Sequence, residues 1–86
     1  MEIEKKIWPV FFERILSGKK TFELRLDDRE YNEGDVLVLK EWDNEKSTYT
    51  GRVIKKEITY VLHTKDMKYW SEEEIKNKGF VVLSLK

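Results

Sequence analysis

The most chemically loaded stretch of the sequence is Gly18-Lys19-Lys20-Thr21-Phe22-Glu23-Leu24-Arg25. Read as a strand, it sends Thr21, Glu23 and Arg25 to one face and Phe22, Leu24 and Leu26 to the other, because side chains alternate at every residue. With Lys20 just ahead, a hydroxyl, a carboxylate, a guanidinium and an ammonium fall within about two pleats, roughly 7 Å per i, i+2 step. Such a group can hold a phosphate through Lys20 and Arg25 while Glu23 accepts hydrogen bonds from a base or ribose. The same residues have a purely structural use. Lys19 and Lys20 complement the negative end of a helix dipole, and Glu23 and Arg25 form cross-strand ion pairs. Spacing alone leaves both readings open.

The elements that must position this stretch follow from periodicity. Ile3 to Trp8 reads as a first strand. Pro9 suits the first turn of a helix whose apolar stripe is Trp8, Phe11, Phe12, Ile15 and Leu16, and Gly18 stops that helix. Thr21 to Leu26 is a half-buried strand by its alternation. Asn32-Glu33-Gly34-Asp35 is a turn, and Val36 to Leu39 runs apolar without alternation, as a strand covered on both faces does. A polar loop within Trp42 to Tyr49 leads to a long extended return over Tyr49 to Leu62, bent near Gly51 or Lys55-Lys56. Ser71-Glu72-Glu73-Glu74 is a capping box with Trp70 and Ile75 placed as a staple, and Gly79 ends that second helix. Phe80 to Leu85 reads as a buried closing strand. The order β-α-β-β-β-α-β over residues 1–86 predicts a single α+β domain, a barrel of about five mostly antiparallel strands with two short helices.

Composition narrows the function classes. The 86 residues hold 17 basic and 17 acidic side chains, which argues against a polycationic clamp on long duplexes. The charge is unevenly spread: residues 1–26 carry +2, 27–45 carry −6, 46–68 carry +4, and 69–86 balance. A local positive face is therefore compatible with zero net charge. The absence of cysteine excludes disulfides and thiol catalysis, and with no signal-like or membrane-length apolar run the expected location is cytoplasmic, with no membrane partner. Oligomeric state stays open, with a monomer sufficient.

Several other features read more simply. His63 is the only histidine, so a multi-histidine metal site is excluded. Asp27-Asp28 and Glu72 to Glu74 are capable of holding a hard cation, but as a solvated loop and a helix start they need none. No metal or cofactor is expected, and no glycine-rich phosphate loop or Ser-His-Asp set is present. Trp8 and Trp70 are expected in the core or staple, while Trp42 beside the hairpin loop is the aromatic least bound to be buried. Arg52 and Lys55-Lys56 either extend a basic face or guard a sheet edge.

The ordered blocks Ile7 to Arg25, Asp28-Arg29, Gly34 to Leu37, Tyr49 to Arg52, Ile58 to Leu62 and Gly79 to Ser84 resemble ASCH-like proteins of the PUA-like superfamily, in particular a small prokaryotic and phage family described mainly as domains of unknown function. The diagnostic piece is Gly-x-Lys-x-x-Glu-x-Arg, here Gly18, Lys20, Glu23 and Arg25. The resemblance implies a small pseudo-barrel with an RNA- or nucleotide-binding cleft between the first helix and the sheet, lined by Lys20, Glu23 and Arg25. Lys19, Thr21 and Arg29 complete the expected binding set. Two departures touch the rim: the amino-terminal segment lacks the His often found ahead of the first strand, and residues 63–78 form a longer insert than the link of close relatives.

Some ASCH-like proteins are amidohydrolases on acetylated cytidine, and others have been proposed to cleave RNA. The hydrolase pattern has a Thr nucleophile three residues after the Lys, where this chain has Glu23. A carboxylate does not replace an alkoxide that must form an acyl intermediate, so a binding module without catalysis is the leading expectation. A hydrolase acting on RNA or a modified nucleoside, with Lys20 and Glu23 as an acid/base pair, is the alternative.

Overall fold

The computed structural model describes residues 1–86. Strand β1 (Glu2–Ile7) leads into helix α1 (Pro9–Leu16), with Trp8 as the extended N-cap and Pro9 in the first turn. The carbonyl of Trp8 accepts hydrogen bonds from the amides of Phe11 and Phe12 at 3.1 and 2.9 Å, which proline at the start of a helix leaves possible because its own missing amide is not needed there. The helix stops at Ser17 as expected, and Gly18 takes φ of +81°, the left-handed conformation that glycine adopts at no steric cost.

Strands β2 (Val36–Asp43) and β3 (Thr48–Glu57) form an antiparallel hairpin, and β1 adds to β2 in parallel, giving a three-stranded mixed sheet of order β1-β2-β3. Leu37, Val38 and Leu39 are buried in succession, in keeping with the unalternating run. On one face Ile3, Ile7, Leu37 and Leu39 pack with Phe12 and Ile15 of α1. On the other face Val38 lies between its cross-strand neighbours Glu4 and Lys55. The expected bend near Gly51 is a bulge, with Glu41 facing the three residues Thr50 to Arg52. Gly51 takes φ of +94° there.

The bulge has a second consequence. Glu41 is buried at 5 % relative exposure, and its carboxylate accepts a 2.6 Å hydrogen bond from Thr50 and pairs with Arg52 at 3.3 Å. Arg52 continues to Glu13 of α1 at 2.5 Å and lies 4.4 Å from the centre of the Phe12 ring. One guanidinium thus satisfies a buried carboxylate and clamps the helix to the sheet.

Helix α2 (Glu72–Lys78) has the expected capping box, with the Glu74 amide donating to Ser71 Oγ and the Ser71 amide donating to Glu74 Oε1, both at 3.1 Å. It buries none of its side chains. Trp70 is exposed and stands edge-to-face with Phe80 at 5.9 Å, so it is not a core residue.

The structure is a small α+β unit with an open sheet. Three of the five expected strands form, and the β1–β2 pair is parallel where mostly antiparallel pairing was expected. Residues 21–26 and 80–85 make no backbone-to-backbone hydrogen bonds, and two of the three apolar residues of the former are turned out, with Leu24 and Leu26 at 70 and 80 % exposure. Alternation in a sequence marks a two-faced segment, but a strand also needs a partner ladder, which local pattern does not supply. The two segments meet through side chains, where the Thr21 and Ser84 hydroxyls share a hydrogen bond.

Arg52→Ala is expected to destabilise the fold by about 1–3 kcal/mol, since it strips a buried carboxylate of its charged partner. Replacing both groups, Glu41→Leu with Arg52→Met, is expected to recover most of that loss. Urea denaturation measures both, and an Arg52→Ala variant as stable as the parent contradicts the clamp.

Candidate functional site

The cleft lies between α1 and the segment that follows it, with a volume of about 560 Å³. Its floor is the expected motif. Glu23 is central: Oε1 accepts from the Lys20 ammonium at 2.6 Å and Oε2 from Arg25 Nε at 2.9 Å. Arg25 Nη2 donates in turn to the carbonyl of Lys6 at 2.8 Å, which ties the segment to the end of β1. All three side chains are half-buried, so these charge-assisted hydrogen bonds are less screened than those of a fully exposed pair. The Lys20 ammonium also lies 4.9 Å from the centre of the Phe22 ring and 5.8 Å from that of Phe11.

Glu23 and Arg25 face the cleft as expected, but the apolar residues of the segment are not covered as a half-buried strand requires: Phe22 and Leu24 also border the cleft, and Leu24 and Leu26 are exposed. Glu23 and Arg25 turn inward to the cleft because each finds a partner there, while Leu24 and Leu26 have no sheet to cover them. The backbone hydrogen bond from the Lys20 amide to the Arg14 carbonyl at 2.9 Å sets the turn that delivers Lys20 to Glu23.

The walls come from α1 and β1. Trp8 and Phe11 stack with ring centres 6.4 Å apart and planes 21° from parallel, and the Arg14 guanidinium lies 6.0 Å from the Phe11 ring. Trp8 is 53 % exposed, a rim residue where the periodicity placed it in the core. The helix stripe is narrower than its sequence implies, since only Phe12 and Ile15 are buried and Phe11 is left to line the cleft.

Of the residues expected to bind ligand, Lys19, Lys20, Glu23 and Arg25 line the cleft. Thr21 does not; its amide and hydroxyl both engage Ser84. Arg29 does not either: its Nε donates to the Glu30 carbonyl and its guanidinium lies 5.5 Å from the Tyr31 ring. No residue of the 63–78 insert lines the cleft. Sequence reasoning missed Lys6, Trp8, Phe11, Arg14 and Phe22. The signal for the helix residues was present, because Trp8, Phe11 and Arg14 recur every three residues and form a stripe beside the buried one.

The lining combines the cations Arg14, Lys19, Lys20 and Arg25 with a single carboxylate, Glu23, while Lys6 borders it through its carbonyl and holds its ammonium over Trp42. Only Lys20 and Arg25 among these cations are paired with Glu23. The arrangement attracts an anion and offers ring faces beside it.

Outside the cleft, His63 Nδ1 meets Asp27 Oδ2 at 2.7 Å, joining the insert to the segment after Leu26. The hydrogen bond from His63 holds the Asp27 carboxyl below its ordinary range; desolvation opposes it, and the nearby charges of His63 and Lys65 add lesser effects in the lowering direction. No set of three His, Asp or Glu side chains converges as a metal site does, and no helix is long and apolar enough to cross a membrane.

Residues 4–85 match the family described as domain of unknown function DUF3850. The chain belongs to that family. It is also 38 % identical over 72 residues to an uncharacterized 12.9 kDa protein in the GpA 3′ region of Escherichia phage P2. The match covers 84 % of this chain and 62 % of that relative, so the chain spans less than two thirds of the phage protein.

Proposed function

We propose that this member of the DUF3850 family is an RNA- or nucleotide-binding module that takes its ligand into the α1 cleft, with no catalysis required. The observation that carries this reading is the composition of the cleft: four cationic side chains against one carboxylate, set among the rings of Trp8, Phe11 and Phe22. Phosphate is met by charge and hydrogen-bond donors, and a base by aromatic faces, so a nucleotide uses both halves of such a surface. In this reading Glu23 holds Lys20 and Arg25 at fixed positions and limits their mutual repulsion before ligand arrives.

Replacing Lys20 or Arg25 by Ala is expected to weaken binding of a short single-stranded RNA by about tenfold to a hundredfold, the usual effect of losing a charged hydrogen bond. The slope of log affinity against log salt should fall by about 0.7, the single-strand value, for each phosphate the variant no longer neutralises. Titration by fluorescence anisotropy at several salt concentrations measures both. Unchanged affinity in both variants contradicts the proposal. The alternative, hydrolysis of RNA or of a modified nucleoside, draws on the Lys20–Glu23 ion pair. It requires turnover that disappears in Glu23→Gln.

The same reading keeps the chain among the ASCH-like proteins and takes a closed PUA-like pseudo-barrel as its complete form. Support comes from the meeting of Thr21 with Ser84, which joins the two segments at one point. Leu24, Leu26, Val81, Leu83 and Leu85 are all exposed, and pairing the two segments as strands would remove apolar surface from water at about 25 cal/mol per Å². Closure predicts that amides within 21–26 and 80–85 exchange slowly with deuterium in solution, as those of β2 do. Exchange at the rate of an unstructured peptide contradicts it.

A further inference from the structure

The cleft has a continuation that the motif does not reveal. Lys6 lines it, and the Lys6 carbonyl receives Arg25, yet the Lys6 side chain belongs to the sheet face opposite the core. There its ammonium lies 3.8 Å from the centre of the Trp42 ring and 5.7 Å from that of Tyr49. Trp42 and Tyr49 are directly paired across β2 and β3 and stand edge-to-face, with centres 4.9 Å apart and planes at 81°. The Lys40 ammonium lies 4.7 Å from the Tyr49 ring.

This second surface has the same chemistry as the first. It presents two ammonium groups and two rings, and Tyr49 is exposed. No carboxylate lies within ion-pair distance of Lys6, while Lys40 has only a long approach of 3.9 Å to Glu4. An ammonium held over rings by cation–π attraction keeps its charge available to an incoming anion, which the more tightly paired Lys55, 3.0 Å from Glu2, does less well. A single residue, Lys6, therefore joins an anion-attracting cleft to an aromatic and basic platform.

We infer that the ligand is a single-stranded polynucleotide longer than one unit, with one phosphate in the Lys20 and Arg25 cleft, the next beside Lys6, and a neighbouring base stacked on the Tyr49 side of the Trp42–Tyr49 pair. This inference rests on the proposed function of the cleft and adds the length and strandedness of the ligand. A duplex is a poor fit, because its bases are stacked on one another and present no free face to Tyr49.

The test compares uridine 5′-monophosphate with hexauridylate on the parent protein and on Tyr49→Ala, Tyr49→Phe, Lys6→Ala and Lys20→Ala. Hexauridylate should bind the parent more tightly than the monophosphate does. Tyr49→Ala should weaken hexauridylate about five- to a hundredfold, the range for loss of one stacked base, and leave the monophosphate unchanged. Tyr49→Phe, which keeps the ring, should bind like the parent, and this separates stacking from damage to the hairpin. Lys6→Ala should lower the salt slope for hexauridylate by about 0.7, the single-strand value for one phosphate. If both ligands bind equally, or Tyr49→Ala leaves hexauridylate unchanged while Lys20→Ala weakens both, the extended site is overturned and the cleft reading stands. Absence of binding by either ligand overturns both.

Discussion

Helix α1 gives Phe12 and Ile15 to the sheet, and that choice decides where its remaining large side chains go. An eight-residue helix is too short to be stable alone, so it exists because these two side chains are buried, at about 1.5–3 kcal/mol each, and because Arg52 ties Glu13 to the buried Glu41. With positions 12 and 15 facing inward, Trp8, Phe11 and Arg14 fall on the neighbouring stripe and become a cleft wall. The exit of the helix at Gly18 then brings Lys20 back beneath that wall. Packing on one side of the helix creates the surface on the other.

Charge explains why the floor of the cleft holds its shape. Lys20 and Arg25 alone would repel each other in a half-buried setting, and Glu23 satisfies one with each carboxylate oxygen. The ring faces of Phe11 and Phe22 flank the lysine, and the Lys6 carbonyl fixes the far end of the arginine. The triad keeps a net positive charge, to which Arg14 and Lys19 add. This is how a chain of zero formal charge acquires a cationic cleft. The acidic excess of residues 27–45 is placed elsewhere, since none of those residues lines it.

Much of this was legible in the sequence. The helix limits, the capping box at Ser71 and Glu74, the unalternating β2 and the bend near Gly51 all follow from local chemistry, and the structure contains them. The motif from Gly18 to Arg25 marked the floor of the cleft only through the family resemblance, because its spacing alone fits cross-strand ion pairs equally well. What escaped depends on partners distant in the chain. Residues 21–26 and 80–85 alternate or run apolar as strands do, yet neither has a backbone ladder, and Leu24 and Leu26 are left exposed. Trp8 was placed in the core by helical spacing, although spacing cannot say how wide a stripe the sheet will cover. Lys6 escaped for a similar reason: its meeting with Trp42 depends on the parallel register of β1 on β2, and parallel pairing has no short-range sequence signal.

The central claim is that one cleft, built by α1 and centred on Glu23, receives an anionic aromatic ligand. Amide chemical-shift mapping by two-dimensional NMR during titration with a short single-stranded RNA tests it most directly. The largest shifts are expected at Lys6, Trp8, Lys20, Glu23 and Arg25, with those of α2 unmoved. Shifts gathered on α2 and residues 63–70, with the cleft silent, would contradict it.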